Sequence, residues 1–405
     1  MNEATAERST WTMPLCFLVT VLEGYDLQII SSAGPVLQNV MNLSQAQIGV
    51  FLSATLIGLG IGAVIGGWAA DWAGRKPVVI ASIVALGLFT FGTALSTSYE
   101  MVVLTRILAG VGLGGAMPTL IATMAETSAA ARTTSAVTTV IVGQPLGGIL
   151  SGIVGRTLVV NYGWQSLFTV GGILTVLTIP LLIRYLPETL TKGRHRNGAK
   201  LASWQALFGG GRAGSTVLLW IAFILTLALL SVLLGWTPLL VRGMGYPVRL
   251  GIDAIIAINL GGVAGGLCAS RMIDRLGVRG PMLVLYALIV VGLIVLSQAK
   301  SPSGVMVAAF LVGIGTLGGQ FTLYGIAPRL YPRAGRGAGV GTAVALGRFG
   351  SVFAPVIVGL ALGQGAGAAS AIVTMIPVAV IAGLALYGLS IVGAGALGRQ
   401  EAEDG

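Results

Sequence analysis

Gly67-Trp68-Ala69-Ala70-Asp71-Trp72-Ala73-Gly74-Arg75-Lys76 separates two long apolar runs, 48–70 and 78–96, and Asp274-Arg275-Leu276-Gly277-Val278-Arg279 follows the run 251–270. Both stretches read Asp-x-x-Gly with a basic cluster, half a chain length apart. Working outward from them, apolar runs bounded by polar breaks fall at 13–34, 48–70, 78–96, 101–124, 134–156 and 163–186, then at 214–239, 251–270, 281–298, 304–327, 338–361 and 369–393. That makes twelve predicted helices in two sets of six, with the repeated stretch at the same place in each set. Repeated halves of this kind are a transporter architecture.

Composition sets the class. Of the 405 residues, 55% are hydrophobic and 9% charged, where a soluble globular protein carries roughly a quarter charged residues. Runs of about 20 apolar residues cross ~30 Å of hydrocarbon as helices, and the alternating pattern of a membrane barrel is missing. The expected fold is an all-α membrane protein of twelve transmembrane helices in two six-helix pseudo-repeats. Its parts are an amino-terminal bundle over 1–186, a linker over 187–213 and a carboxy-terminal bundle over 214–405. Within the linker, Leu201, Trp204, Leu207 and Phe208 share a helical face that suits a short helix on the membrane surface. The first apolar run is full length and preceded by Glu3, Glu7 and Arg8, so it is expected to stay as a span rather than be cleaved.

The net charge of +10 does not signal nucleic acid, because the basic residues lie at the ends of apolar runs rather than in a patch. With both termini cytoplasmic, 17 of the 23 Lys and Arg fall inside and only Arg156, Arg242, Arg249 and Lys300 outside. This asymmetry is what the positive-inside rule requires, and a bacterial-type inner membrane is the expected location. Cys16 and Cys268 lie within spans at a spacing that supports neither a disulfide nor a metal site, and are expected to be buried thiols. His195, the single histidine, sits in the linker. Intramembrane proton chemistry would therefore fall to carboxylates, and no cofactor or metal is expected. A membrane enzyme lacks its nucleophile and base. Gly-x-Gly-x-x-Gly spacings follow no predicted strand, so nucleotide binding is not expected.

Few charges lie at membrane depth, where an ionisable group marks function. Glu23 and Asp26 in the first span are three apart and share a helical face, close enough to titrate as a pair. They are the candidates for proton coupling, Asp26 ahead. Arg106 in span four and Arg348 in span eleven, one from each half, are the basic residues well inside spans. A guanidinium binds a carboxylate through two parallel hydrogen bonds that lysine cannot reproduce. Arg348 is the first candidate for a substrate carboxylate; Arg106 either shares that role or pairs with Glu23 or Asp26 in the empty state.

The loop Gly-x-x-x-Asp-x-x-Gly-Arg-Lys and its weaker copy resemble the signature loop of the major facilitator superfamily, and the likeness covers nearly the whole chain. Trp72 stands where that family usually has Arg after the Asp; Arg275 keeps it in the second copy. Within the superfamily the chain resembles the aromatic acid:proton symporters, through Glu23-Gly24-Tyr25-Asp26-Leu27-Gln28, Arg106 to Pro118, and Gly318-Gly319-Gln320 through Tyr331-Pro332 to Gly347-Arg348-Phe349-Gly350. The first of these is most similar to carriers of hydroxyphenylpropionate-type acids. The resemblance implies alternating access, a small aromatic carboxylate and protons as cargo, a lipid bilayer as the setting and a monomeric carrier. It also implies that Asp71, Arg75, Glu126 and Arg132, with Asp274 and Arg275, form a cytoplasmic gate.

Tyr25, Gln144, Trp236, Asn259, Gln320 and Tyr324 are the candidates to complete the pocket, each with a structural alternative in helix packing or interfacial anchoring. Proton-antiport efflux is the competing transport reading. Its carriers usually have Gly-Pro-x-x-Gly-Gly in span five, and Gly143-Gln144-Pro145-Leu146-Gly147-Gly148 departs from that spacing.

Overall fold

The computed structural model describes residues 3–127, 133–189, 207–332 and 335–404. Arg132, His195 and the Leu201 and Trp204 of the expected surface helix lie outside the described residues. Twelve long helices account for almost all of the rest. The first six are α1 Glu3–Val40, α2 Gln45–Ala73, α3 Arg75–Ala94, α4 Tyr99–Thr127, α5 Thr133–Tyr162 and α6 Gln165–Tyr185. The second six are α7 Ala213–Gly243, α8 Val248–Leu276, α9 Arg279–Ser297, α10 Pro302–Ile326, α11 Arg336–Gly363 and α12 Ala368–Asp404, with a short 3₁₀ turn Ala327–Leu330 between α10 and α11. No strand occurs among the described residues. By length and composition 11 of the helices suit a membrane crossing. The remaining one, α5, has 30 residues, about 45 Å at 1.5 Å per residue, and carries Gln144, Pro145 and Arg156 along its length. Helices are the expected answer here, because backbone groups in hydrocarbon have no partner but the chain itself.

Helix ends explain why the observed elements overrun most of the predicted spans by a few residues. Ser44 and Gln47 form a reciprocal capping box at the start of α2, and the Ser301 hydroxyl accepts the Gly304 N–H at 3.2 Å at the start of α10. The repeated Asp-x-x-Gly ends on a helix stop in both copies. Gly74, at φ +106°, closes α2, and Gly277, at φ +72°, closes α8. A positive φ with an extended ψ, as both have, is open to glycine and almost no other residue. The first copy has a further fastening: Glu188, beyond α6, accepts the backbone N–H of Arg75 at 3.0 Å and of Lys76 at 3.2 Å, so a carboxylate distant in sequence but adjacent in space caps α3.

The chain divides into two compact units, one of residues 1–194 with 251–256 and one of 195–250 with 257–405. Their internal pairings repeat. In the first unit α1 lies on α5, α3 on α4 and on α6, and α1 on α6; in the second α7 lies on α11, α9 on α10 and on α12, and α7 on α12. The pairing of α2 with α4 has its counterpart where the backbone of Ile258 on α8 approaches Gly313 on α10.

Lipid chains are as apolar as leucine, so helices in a bilayer associate through close packing rather than through the hydrophobic effect. Gly24 on α1 and Gly147 on α5 show how close. A Cβ at Gly24 would run into the carbonyl of Gln144, and one at Gly147 into the carbonyl of Val21. Outward-facing positions such as Val64, Leu88, Leu177, Ile357 and Leu384 are large, apolar and exposed, as lipid contact requires. Cys268 belongs with them. It is exposed on α8, unlike the buried thiol expected from its place in a span, whereas Cys16 is buried.

Gly24→Ala should therefore force α1 away from α5 and lower the yield and melting temperature of the detergent-solubilised protein. Gly60→Ala, where a Cβ would meet open space, should leave both unchanged. Equal behaviour of the two variants would show that the backbone contact does not hold the helices.

Candidate functional site

The first unit encloses an ion pair. Arg106 on α4 is fully buried and Asp26 on α1 nearly so, at 0% and 2% exposure. A guanidinium has five N–H donors, and all five are used. Nη1 donates to both carboxylate oxygens of Asp26 at 3.2 Å. Nε donates to the Thr93 hydroxyl at 2.9 Å, and Nη2 to the Thr90 hydroxyl at 3.1 Å and the Phe89 carbonyl at 3.3 Å. Thr90 in turn donates to Asp26 Oδ1. Thr90 and Thr93 are three apart and so share one face of α3, and that face lines the pair. The Phe168 ring of α6 lies beneath, 4.9 Å from the guanidinium carbon, a distance at which the ring face attracts a cation.

Four helices thus converge on one charge pair, and the arginine has no donor left for anything else. Sequence reasoning left Arg106 between a substrate role and a pair with Glu23 or Asp26; in this structure it is closed on Asp26. Its supports, Thr90, Thr93 and Phe168, were not singled out from sequence. Asking where a buried arginine would send five donors would have led to the two threonines of the adjoining span.

Glu23 is also buried, at 2% exposure, yet its Oε1 has no hydrogen-bond partner among the described residues. No arginine among the described residues is brought to it. Tyr25 is buried with its hydroxyl donating to the Leu167 carbonyl at 3.0 Å, which ties α1 to α6. Gln144 is half-buried, and its backbone is the surface on which Gly24 rests.

The second unit holds the other candidates. Arg348 on α11 is half-buried, and its guanidinium makes no hydrogen bond or ion pair among the described residues. Its neighbours Gly347 and Gly350 pack α11 against Phe223 and Ile224 of α7. Phe223 meets the ring of Tyr324 edge-on, with centroids 5.4 Å apart. Gln320 precedes Tyr324 by one turn of α10, and its Oε1 is buried without a hydrogen-bond partner among the described residues. Trp236 is fully buried, its indole N–H donating to the Pro355 carbonyl at 3.0 Å, a fastening between α7 and α11. Asn259 is buried on α8.

Of the residues expected at the cytoplasmic gate, Asp71 is exposed and makes no ion pair among the described residues, while Arg75 begins α3 under the Glu188 cap. Arg275 is exposed in the last turn of α8. Glu126 and Asp274 lie in helices, but their side chains, like Arg132, fall outside the described residues. No cluster of His, Cys, Asp and Glu fit to hold a metal ion occurs among the described residues.

A helical membrane protein built of two like units, with an ion pair sealed inside one and a free arginine inside the other, has the makings of a carrier. A model of the major facilitator superfamily matches residues 16–355, and the chain belongs to that family of transporters. It is similar to the 3-(3-hydroxy-phenyl)propionate transporter of Escherichia coli strain K12, 34% identical, with 95% of this chain and 94% of that protein covered. It is also similar to a gallate transporter of Pseudomonas putida, 29% identical over 90% of this chain and 88% of that one, and to a 4-hydroxybenzoate transporter of Acinetobacter baylyi, 28% identical over 90% and 87%. The likeness to aromatic acid carriers expected from the stretches at Glu23 to Gln28, Arg106 to Pro118 and Gly318 to Gly350 therefore holds. Among solved structures, a D-xylose-proton symporter shares the fold with a TM-score of 0.75 at 20% identity, over 91% of this chain and 96% of that one. A mutant of the nucleoside transporter NupG gives a TM-score of 0.78 at 13% identity, over 94% and 99%.

Removing one partner of a buried ion pair costs about 3–5 kcal/mol, because the other charge is left uncompensated. Arg106→Leu should accordingly lower the melting temperature sharply, and adding Asp26→Asn to the same chain should recover part of the loss. A double variant no more stable than Arg106→Leu alone would mean that the two side chains are not energetically coupled.

Proposed function

We propose that the protein takes up a small aromatic carboxylate, of the hydroxyphenylpropionate, benzoate or lignin-derived type, together with protons, by alternating access across a bacterial-type inner membrane. The observation that carries this reading is the closed environment of Asp26. Its charge is held by a guanidinium with every donor spent, and protonation is the smallest chemical change that would release Nη1 while Thr90, Thr93, Phe89 and Phe168 keep the rest of Arg106 in place. Asp26 is then the coupling group. Glu23, buried without a partner, is a second carboxyl one turn away that can hold or pass on the proton.

Arg348 binds the substrate carboxylate, since its guanidinium is uncommitted, and Arg106 offers its Nη1 edge once Asp26 is neutral. Phe223 and Tyr324 provide an aromatic wall beside α11, and the unpartnered Gln320 Oε1 is an acceptor suited to a ring hydroxyl. The named cargoes of the relatives, a hydroxyphenylpropionate, gallate and 4-hydroxybenzoate, combine those same groups: one carboxylate, one ring and a hydroxyl. Both termini lie on the cytoplasmic side, as the distribution of Lys and Arg supports. Asp71, Arg75, Glu126, Arg132, Asp274 and Arg275 form the gate at that side, and the carrier works as a monomer with the two bundles and linker as its parts.

Uptake into proteoliposomes with an imposed pH gradient tests the reading. Asp26→Asn should lose gradient-driven accumulation of 3-(3-hydroxyphenyl)propionate while retaining exchange of labelled for unlabelled substrate; full accumulation by that variant would remove Asp26 from the coupling role. Arg348→Ala should weaken binding of the acid about 10- to 100-fold, the worth of a charge-assisted hydrogen bond, and affect an uncharged analogue much less. An equal loss for both would make Arg348 a structural residue.

A further inference from the structure

Thr90 departs from the habit of most helical threonines in this chain. Thr20, Thr119, Thr123, Thr316 and Thr322 each donate the hydroxyl hydrogen to the carbonyl four residues earlier, at 2.7–2.9 Å. Such back-bonding is the ordinary resting place of a threonine hydroxyl inside an apolar helix. The Thr90 hydroxyl goes instead from α3 to Oδ1 of Asp26 on α1. A hydrogen bond to a charged acceptor is roughly twice as strong as one between neutral groups, so an ionised Asp26 wins the hydroxyl from its own helix.

This one hydroxyl holds both members of the ion pair. Its oxygen accepts from Nη2 of Arg106 at 3.1 Å while its hydrogen goes to Asp26. The Thr93 hydroxyl is bonded to the arginine, and its own hydrogen has the Phe89 carbonyl and the Thr105 hydroxyl as acceptors, each at 2.9 Å.

The two oxygens of Asp26 are therefore unequal. Oδ1 accepts from Nη1 and from Thr90, whereas Oδ2 accepts from Nη1 alone among the described residues. An ionised carboxyl has about two acceptor positions on each oxygen, so Oδ1 is filled and Oδ2 keeps a lone pair. A hydrogen ion arriving at Oδ2 forms an O–H bond there, opens the bond from Nη1 to that oxygen and leaves Thr90 bonded to Oδ1. Nothing is oxidised or reduced. Other titratable and charged groups around Asp26 are few: Glu23 is one turn away on α1, the Tyr25 hydroxyl is spent on the Leu167 carbonyl, and the charged residues of α2 to α6 besides Arg106 lie toward the helix ends.

We propose, on the reading that Asp26 is the coupling group, that Thr90 is a positioning residue for proton uptake: by filling Oδ1 it makes Oδ2 the atom that takes the hydrogen ion, and it keeps Asp26 tied to α3 when Arg106 lets go. Uptake of 3-(3-hydroxyphenyl)propionate into proteoliposomes, measured over a series of external pH values at a constant pH difference across the membrane, tests this with the full-length wild type, Thr90→Val and Thr90→Ser. Valine keeps the shape of threonine without its hydroxyl, and the Phe89 carbonyl remains for Nη2. Ionised Asp26 then loses a charge-assisted bond and protonated Asp26 only a neutral one, so the pH of half-maximal uptake should move up by about one unit. Thr90→Ser should return it to the wild-type value. Thr90→Ala, which adds no bulk, takes the place of Thr90→Val if valine lowers the melting temperature in detergent.

The proposal is overturned if the folded variant without the hydroxyl has the wild-type pH profile, even at a lower rate, if its profile moves down, or if serine does not restore it. Asp26→Asn, run beside them, separates the two claims. Full gradient-driven accumulation by that variant would remove the coupling group and with it the role of Thr90, whereas its loss together with an unmoved profile in Thr90→Val would count against Thr90 alone.

Discussion

A carboxylate and a guanidinium sealed together inside a helical bundle cannot separate without leaving a charge in a medium that does not solvate it. The contact between Asp26 and Arg106 is under that constraint, and much of the first unit is arranged to meet it. Thr90 and Thr93 supply acceptors from α3, the Phe89 carbonyl takes another donor, and Phe168 offers a ring face from α6. A buried charge pair is weak as a source of stability but demanding in geometry. It fixes the facing sides of α1, α3, α4 and α6 more strictly than leucine packing would, because an aliphatic contact tolerates small rotations and a five-donor set does not.

Close backbone approach makes that geometry possible. With Gly24 on the Gln144 backbone and Gly147 on that of Val21, α1 and α5 lie nearly in direct main-chain contact. Asp26 lies just beyond the stretch of α1 that Gly147 touches. The orientation of α1 about its own axis is therefore set by glycines at this contact, and the carboxylate is aimed by packing rather than by its own rotamer alone. In the second unit, glycines on both sides of Arg348 do the same for α11 against α7, and the tryptophan of α7 reaches across to the Pro355 carbonyl.

Much of this was legible in the sequence, and the reasons are physical. Spans were readable because hydrocarbon thickness sets a run length and leaves polar residues at the ends. The two-half organisation was readable because Asp71-x-x-Gly74 and Asp274-x-x-Gly277 repeat, and the structure shows why each copy needs its glycine: both close a helix with a positive φ. Charges at depth stood out as Glu23, Asp26, Arg106 and Arg348. What sequence did not give was partnership. Residues three apart on α1 share a face only loosely, so the choice between Glu23 and Asp26 as the arginine's partner depends on how α1 is turned toward α4. Thr90 and Thr93 carried no signal by themselves, since a threonine in an apolar helix commonly satisfies its hydroxyl on its own backbone; only the five donors of a buried arginine point to them. Glu188 caps a helix more than a hundred positions earlier, a relation that composition cannot reveal. Cys268 was misjudged because a span position says nothing about which side of the helix meets lipid.

The filled donor set of Arg106 has a consequence for which ions can act at Asp26. A metal cation needs a shell of several oxygens, and around this carboxylate the guanidinium already stands where such an ion would sit, with a fixed positive charge that would repel it. An alkali ion could enter only by evicting the arginine from all its contacts at once. A hydrogen ion needs no shell, because it becomes part of a covalent O–H bond on a single carboxylate oxygen. If Asp26 takes up the coupling proton as proposed, discrimination between hydrogen ions and metal ions at this position would follow from occupancy by a built-in cation rather than from cavity size.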